Sequence, residues 1–224
     1  MTDPLTLHSA ASLLTAFCDC ITHDIHPVSA KSVAEGSKLF GAAIFRKSDL
    51  SLIIADTNQE GEEVGGSPIW HGETWTIKRF FEMPRDTRPD VKECLFLTTH
   101  EPCSLCLSAI TWAGFDNFTY MFTYEDTDKL FDIRGDLDVF EHVFHLNGGE
   151  TAQQASSDGS KKQVRPEYKL RNKYFVALSF AELVAAVEDS GKREDWARRV
   201  EKVKRTYGSL SPEYRKNTDI GSSD

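Results

Sequence analysis

Residues 94–122 read CLFLTTHEPCSLCLSAITWAGFDNFTYMF and contain the signals for a strand, a helix and a second strand. The run CLFLTT is short, apolar and rich in residues that favour strands. The following segment, CSLCLSAITWAG, has the length and composition of a helix, and Gly114 predicts its end because glycine commonly terminates helices. The run FTYMFTY then predicts another strand.

The flanking sequence extends this alternation of strands and helices. The runs FGAAIF (40–45) and LSLIIADT (50–57), separated by the polar RKSD, predict a hairpin of two buried strands. The segment WHGETWTIKRFFEM (70–83) predicts a helix that Pro84 stops. Further helices are predicted at 7–24, 129–146 and 179–205, and a strand at 174–180. This order predicts an α/β fold, a three-layer α/β/α sandwich around one mixed five-stranded sheet.

Length and composition limit the class of protein. A chain of 224 residues with 40% hydrophobic content can bury one sizeable core. The sequence contains no run of 18 apolar residues, so no membrane span is predicted. The N-terminus also lacks the basic residues of a secretory signal. Five cysteines, an odd number, favour a metal site or reduced thiols over a disulfide framework. We therefore expect a cytoplasmic location, with the nucleus as an alternative, and no membrane partner.

The distribution of charge argues against a nucleic-acid partner. Residues 1–150 carry a net charge of −13, whereas residues 151–224 carry +4, within a total of −9. An acidic body repels the phosphate backbone, whose binding depends on Lys and Arg side chains. Only the C-terminal segment offers a basic surface, so nucleic acid is disfavoured as a substrate.

Two short motifs carry the candidate chemistry, His71-Gly72-Glu73 and Pro102-Cys103-Ser104-Leu105-Cys106. Each lies at the predicted start of a helix, where free amides and the helix dipole lower the pKa of a thiol and stabilise its anion. Cys103 and Cys106, three residues apart, project from one face of the first turn. With His71 they make a donor set of one nitrogen and two sulfurs, which suits Zn²⁺ with a fourth position open for water.

A structural zinc site is the alternative interpretation of the two thiols. It would require a fourth protein ligand, and the sequence offers Cys94, His100, Cys18 or Cys20 for that position.

The spacing H-x-E followed by P-C-x-x-C resembles the zinc-dependent base deaminases. From about Phe40 to Asp128 the sequence resembles the cytidine deaminase superfamily, including its order of strands. Within that superfamily, H-G-E is similar to the fungal cytosine deaminases. In contrast, Glu101-Pro102-Cys103 with SAITW (108–112) is similar to bacterial-type guanine deaminases and tRNA adenosine deaminases. These two branch signals disagree, so the motifs leave the substrate open.

The resemblance implies roles for individual residues. Zinc held by the histidine and the two cysteines would lower the pKa of a bound water towards 7, and Glu73 would be the catalytic residue that carries protons. Asn58 would hydrogen-bond the edge of the substrate base, and Phe40 would stack on its face. The resemblance also implies a homodimer.

The predicted activity is zinc-dependent hydrolysis of a C–N bond in a cyclic amidine. The substrate would be a free nucleobase (guanine or cytosine) or a nucleoside, and the product would be ammonia. A tRNA adenosine deaminase and a non-catalytic, zinc-stabilised partner subunit remain alternatives. Whether the C-terminal segment closes the pocket in its own chain or in a partner is also open.

The sequence predicts a single deaminase domain over residues 1–224, with its core at about 28–145. The segment 147–164 is poor in hydrophobic residues and is predicted to be a flexible insertion. Residues 165–210 should supply a C-terminal strand and helices, and 211–224 a disordered tail.

Overall fold

The computed structural model describes residues 1–61, 67–144 and 168–215. Its strands form one sheet in the order β2-β1-β3-β4-β5. The strands are β1 (Gly41–Arg46), β2 (Leu52–Thr57), β3 (Cys94–His100), β4 (Asn117–Phe122) and β5 (Val176–Ser179). The helices are α1 (Ala10–Cys20), α2 (His26–Ala34), α3 (Gly72–Glu82), α4 (Ser104–Ala113), α5 (Tyr124–Phe131), α6 (Gly135–His142), α7 (Phe180–Ala185) and α8 (Ser190–Gly208).

The sheet is mixed, as the sequence predicts. Strand β1 pairs antiparallel with both β2 and β3, and the β1–β2 pair is the predicted hairpin. Strands β3, β4 and β5 are parallel. Parallel neighbours need a crossover connection, and α4 provides it between β3 and β4.

Helices cover both faces of the sheet because each central strand is apolar on both sides. On β1, Ala43 and Phe45 belong to one buried cluster, whereas Ala42 and Ile44 belong to the other. The first cluster takes side chains from α1, α7 and α8, and the second takes them from α3, α4 and α6. Alternate residues of a strand point to opposite faces, so this division produces the three-layer α/β/α sandwich. The predicted fold class is confirmed.

Several predicted helices have different limits in the structure. Segment 129–146, expected to be one helix, contains the end of α5 and all of α6, and the chain turns between them at Asp132 with φ of 60°. Segment 179–205 is also divided, because Asp189 caps a new helix by accepting a hydrogen bond from the Lys192 amide. The N-terminal helix continues beyond Cys20 through a π-helical turn at Ile21–Ile25. Helix α4 ends as predicted, with Gly114 at φ 94°.

The C-terminal boundary requires a correction. Residues 211–215, expected to be part of a disordered tail, form a helical turn. Packing holds this turn, because Tyr214 is buried and the Ser211 hydroxyl donates to the Leu130 carbonyl. The predicted insertion at 147–164 and residues 216–224 lie outside the described part of the chain.

Within the described ranges, none of the helices combines the length and the apolar character that a membrane span requires.

Tyr207 of α8 attaches the C-terminal helix to the centre of the fold. Its side chain is fully buried, and its hydroxyl lies 2.9 Å from the Ser29 hydroxyl on α2. The same hydroxyl donates to the carbonyl of Leu39, next to the start of β1. These bonds connect α8, α2 and the first strand.

We predict that Tyr207→Phe lowers the free energy of unfolding by about 1–3 kcal/mol, because it leaves the buried Leu39 carbonyl without its donor. Urea unfolding followed by circular dichroism measures the effect. Tyr174→Phe is the matched control, since Tyr174 is 52% exposed and should lose almost nothing. Equal stabilities of the two variants would contradict this account of α8 docking.

Candidate active site

The starts of two helices bring the sequence motifs together. His71 is the residue that precedes α3, and Cys103 is the residue that precedes α4. Gly72, the first residue of α3, allows the helix to approach the first strand closely, because an added Cβ would collide with the Phe40 carbonyl oxygen. The two helices also pack against each other on the same face of the sheet.

The three candidate ligands have the spacing of a metal site. Nδ1 of His71 lies 3.5 Å from the Cys103 sulfur and 3.6 Å from the Cys106 sulfur. In a tetrahedral zinc site, with Zn–N of about 2.0–2.1 Å and Zn–S of about 2.3 Å, nitrogen and sulfur ligands lie about 3.6 Å apart. The donor types and their separations therefore fit Zn²⁺.

The structure favours an open site over a structural zinc site. The group of closely spaced donors contains His71, Cys103 and Cys106. In the part of the chain that the structure describes, neither His100 nor any other cysteine joins this group. Three protein ligands leave one position of a tetrahedral metal free, which is the arrangement of catalytic zinc.

The charges of these donors depend on one another. A hydrogen bond with the Cys106 side chain lowers the pKa of Cys103. The hydrogen bond between Cys103 and His71 lowers it further, although burial opposes both effects. The hydrogen bond to Cys103 raises the pKa of His71 to about 9. Burial raises the pKa of Cys106 well above its ordinary value. These contacts favour the anionic form of the Cys103 sulfur, which is the form that binds a cation.

Glu73 lies beside the three donors without being one of them. Its side chain is buried, and Oε2 accepts a hydrogen bond of 3.3 Å from the Cys106 thiol. Burial, together with the negative charge of Cys103, raises the pKa of Glu73 to about 7. A carboxyl group that titrates near neutrality can both take up and release a proton.

A cavity of about 660 Å³ opens above these four residues. Its walls come from Phe40, from the α5–α6 connection (131–136) and from the C-terminal turn through Tyr214 and Arg215. The volume is in the range of sites for small organic ligands. The C-terminal segment therefore contributes to the pocket of its own chain.

The two predicted base-binding residues differ in position. Phe40 lines the cavity, and its ring meets His100 edge-on at 4.8 Å between centroids. Asn58 is fully buried and is not one of the residues that line the cavity. Among the residues described, neither the nitrogen nor the oxygen of its side-chain amide has a hydrogen-bond partner. An unpartnered buried amide is rare and needs an explanation, such as a bound ligand.

Sequence reasoning missed other polar residues of the pocket. Glu101 lines the cavity, and its carboxylate accepts from the Tyr124 amide at 3.1 Å and the Tyr168 hydroxyl at 2.7 Å. Its position beside Pro102 in the second motif was the available signal. Asp136 and Tyr214 also line the cavity. They come from distant segments without a motif, so the sequence held no signal for them.

Comparison with known proteins identifies the region that contains these motifs. The cytidine and deoxycytidylate deaminase zinc-binding region matches residues 21–122. A protein of Schizosaccharomyces pombe, named as a probable cytosine deaminase, is 30% identical over 103 residues. That match covers 46% of this chain and 59% of the relative, so the chain spans less than two thirds of the relative's length.

Two solved structures of deaminases superpose on this chain in part. A guanine deaminase from Nitrosomonas europaea superposes with a TM-score of 0.47 at 16% identity, over 93% of this chain and 98% of that one. A structure from work on tRNA deaminases that act at the wobble position gives a TM-score of 0.38 at 19% identity, over 44% and 72%.

The family match includes both motifs, since His71, Glu73 and the two cysteines all lie between residues 21 and 122. The described structure places these motifs at two neighbouring helix starts of an α/β/α sandwich, with donors that fit zinc. Over residues 21–122 this chain is therefore similar to the cytidine and deoxycytidylate deaminase zinc-binding region, both in sequence and in the placement of its motifs.

Proposed function

We propose that the protein is a zinc-dependent hydrolytic deaminase of a small aminated heterocycle, either a free nucleobase (guanine or cytosine) or a nucleoside. The observation that carries this proposal is the buried carboxyl group of Glu73 beside the His71, Cys103 and Cys106 group, at the floor of a cavity. Metal-assisted hydrolysis uses an open coordination position for water and an adjacent group that carries the proton. The cytosine deaminase name of the S. pombe relative supports the same class of substrate.

In this proposal His71, Cys103 and Cys106 hold the zinc ion, which when bound lowers the pKa of water and polarises it for attack. Glu73 takes a proton from the attacking water and gives it to a ring nitrogen of the substrate. The oxygen of that water bonds to the amidine carbon. Glu73 then moves the second proton to the amino group, the C–N bond breaks, ammonia leaves and a carbonyl remains. Glu73 ends in its starting state.

The polar and aromatic groups that line the cavity suit a planar base that carries N–H donors. Asp136 lines the wall, and among the described residues its carboxylate has no hydrogen-bond or ion-pair partner. Cytosine and guanine both offer amino protons to such an acceptor. Phe40 and Phe131 supply apolar surface against a ring. We further propose that the unpartnered side-chain amide of Asn58 forms hydrogen bonds with an edge of the base.

Two of the cations that line the cavity, Lys38 and Arg134, do not favour a phosphorylated substrate. Lys38 pairs with Glu60 at 3.1 Å, and Arg134 lies within 4 Å of Asp128, Asp138 and Glu141. Their charges are compensated within the protein, so they offer little to a phosphate group. We therefore propose that neither nucleotides nor nucleic acid are the natural substrate.

We also propose, on the resemblance to the cytidine deaminase superfamily alone, that the functional unit is a homodimer. The C-terminal turn lines the cavity of its own chain, so assembly is not needed to supply Tyr214 or Arg215 to the pocket. Sedimentation velocity would determine the state.

The first prediction at this site concerns the metal. The wild-type protein should contain one zinc per chain, and Cys103→Ala should lose most of it because only two protein ligands remain. Elemental analysis after dialysis measures the content. Cys94→Ala is the matched control, since Cys94 is also buried and free but lies outside the ligand group. A fully loaded Cys103→Ala protein would refute the ligand assignment.

The second prediction concerns the proton carrier. Glu73→Gln should retain zinc and fold while its turnover falls by about 10²–10⁴ or more, because an amide cannot carry the proton. Glu82→Gln, at the exposed end of the same helix, should keep normal turnover. Steady-state ammonia release and zinc content are measured on both variants. Turnover of Glu73→Gln close to wild type would assign the proton transfers to another group.

The third prediction concerns the substrate. Ammonia release should occur with at least one free base or nucleoside, with little dependence on salt, because a neutral ring makes no phosphate contacts. A tRNA enzyme with about six phosphate contacts would lose about 10³ in affinity between 50 and 200 mM salt. Kinetics across that range, with bases, nucleosides and tRNA in parallel, distinguish the two. Deamination of tRNA alone would overturn the proposal, and no deamination at all would favour a non-catalytic subunit.

A further inference from the structure

Glu60 lies on the far side of the His71 ring from the cysteines. The Nδ1 atom of His71 faces the two sulfurs at 3.5 and 3.6 Å, whereas its Nε2 atom lies 3.9 Å from Oε1 of Glu60. The imidazole therefore spans the distance between the metal-binding donors and a carboxylate. Neither motif includes Glu60, which follows β2 in the connection to α3.

The carboxylate of Glu60 is held in place. Only 15% of its side chain is exposed, and the oxygen that faces His71 also accepts a hydrogen bond of 3.1 Å from Lys38. The backbone next to Glu60 is held as well, because the amide of the preceding residue, Gln59, donates to the Trp70 carbonyl at 2.9 Å. Glu60 is thus tied to the chain just before His71.

A metal-bound histidine commonly donates its second ring N–H to a carboxylate, which fixes the tautomer and makes the bound nitrogen more basic. We infer that Glu60 is a positioning residue, which accepts a hydrogen bond from Nε2–H of His71 and thereby directs Nδ1 towards the metal. This inference rests on the zinc site of the proposed function. A charged hydrogen bond of this kind spans about 2.7–2.9 Å, so side-chain rotation must shorten the present 3.9 Å by about 1 Å.

The test compares zinc affinity in Glu60→Ala, Glu60→Gln and wild type, measured by competition with a chelating dye. Glu35→Ala is the control, because Glu35 is exposed and pairs with a lysine, Lys31, on the surface of the protein. We expect Glu60→Ala to bind zinc about 10–100-fold more weakly. Glu60→Gln should recover part of this loss, because its amide oxygen still accepts a hydrogen bond. Glu35→Ala should match wild type.

The melting temperature of each metal-free variant separates positioning from a general effect on folding. Glu60→Ala or Glu60→Gln should weaken zinc binding while the metal-free protein melts as the control does. Zinc affinity equal to wild type in Glu60→Ala would overturn the inference. So would a loss of affinity that appears only together with a lower metal-free melting temperature. The measurement needs no substrate, so the inference can hold even if the protein deaminates none of the compounds in the panel.

Discussion

The meeting of two helix N-termini determines most of the chemistry of this protein. His71 precedes α3 and Cys103 precedes α4, and the sheet holds both helices on one face. A ring nitrogen of His71 therefore lies 3.5 and 3.6 Å from the two cysteine sulfurs. Free amides and helix dipoles at such positions stabilise negative charge. The separation leaves room for one zinc ion, and the first turn of α3 sets Glu73 beside it.

Burial gives this arrangement its reactivity. Removing Glu73 from water raises its pKa to about 7, so the carboxyl group can exchange protons at neutral pH. The enclosure comes from segments that are far apart in the chain, including the α5–α6 connection and the turn at 211–215. Tyr207 supports this closure, because it bonds α8 to α2 and to the backbone before β1. The C-terminal segment therefore belongs to the pocket as well as to the core.

Local signals made the sheet, most helices and the grouping of His71, Cys103 and Cys106 predictable. The hairpin, the end of α4 at Gly114 and the donor set followed from patterns within a few residues. The helix break near Asp132 and the helical turn at 211–215 could not be predicted in this way. The break depends on a left-handed backbone at Asp132, and the turn depends on tertiary packing. The residues of the cavity walls could not be predicted from a motif either. Residues such as Asp136 are far from both motifs in the sequence and reach the site only through folding.

We propose that zinc has three protein ligands and one open position in this site. X-ray absorption at the zinc edge of the purified protein tests it most directly. We expect two sulfur ligands at about 2.3 Å and two lighter ligands at about 2.0–2.1 Å, one of them imidazole. Binding of a small anion or a substrate analogue should change only the non-imidazole light ligand. A spectrum with three or four sulfur ligands, unaffected by such additions, would show a closed structural site and contradict the account.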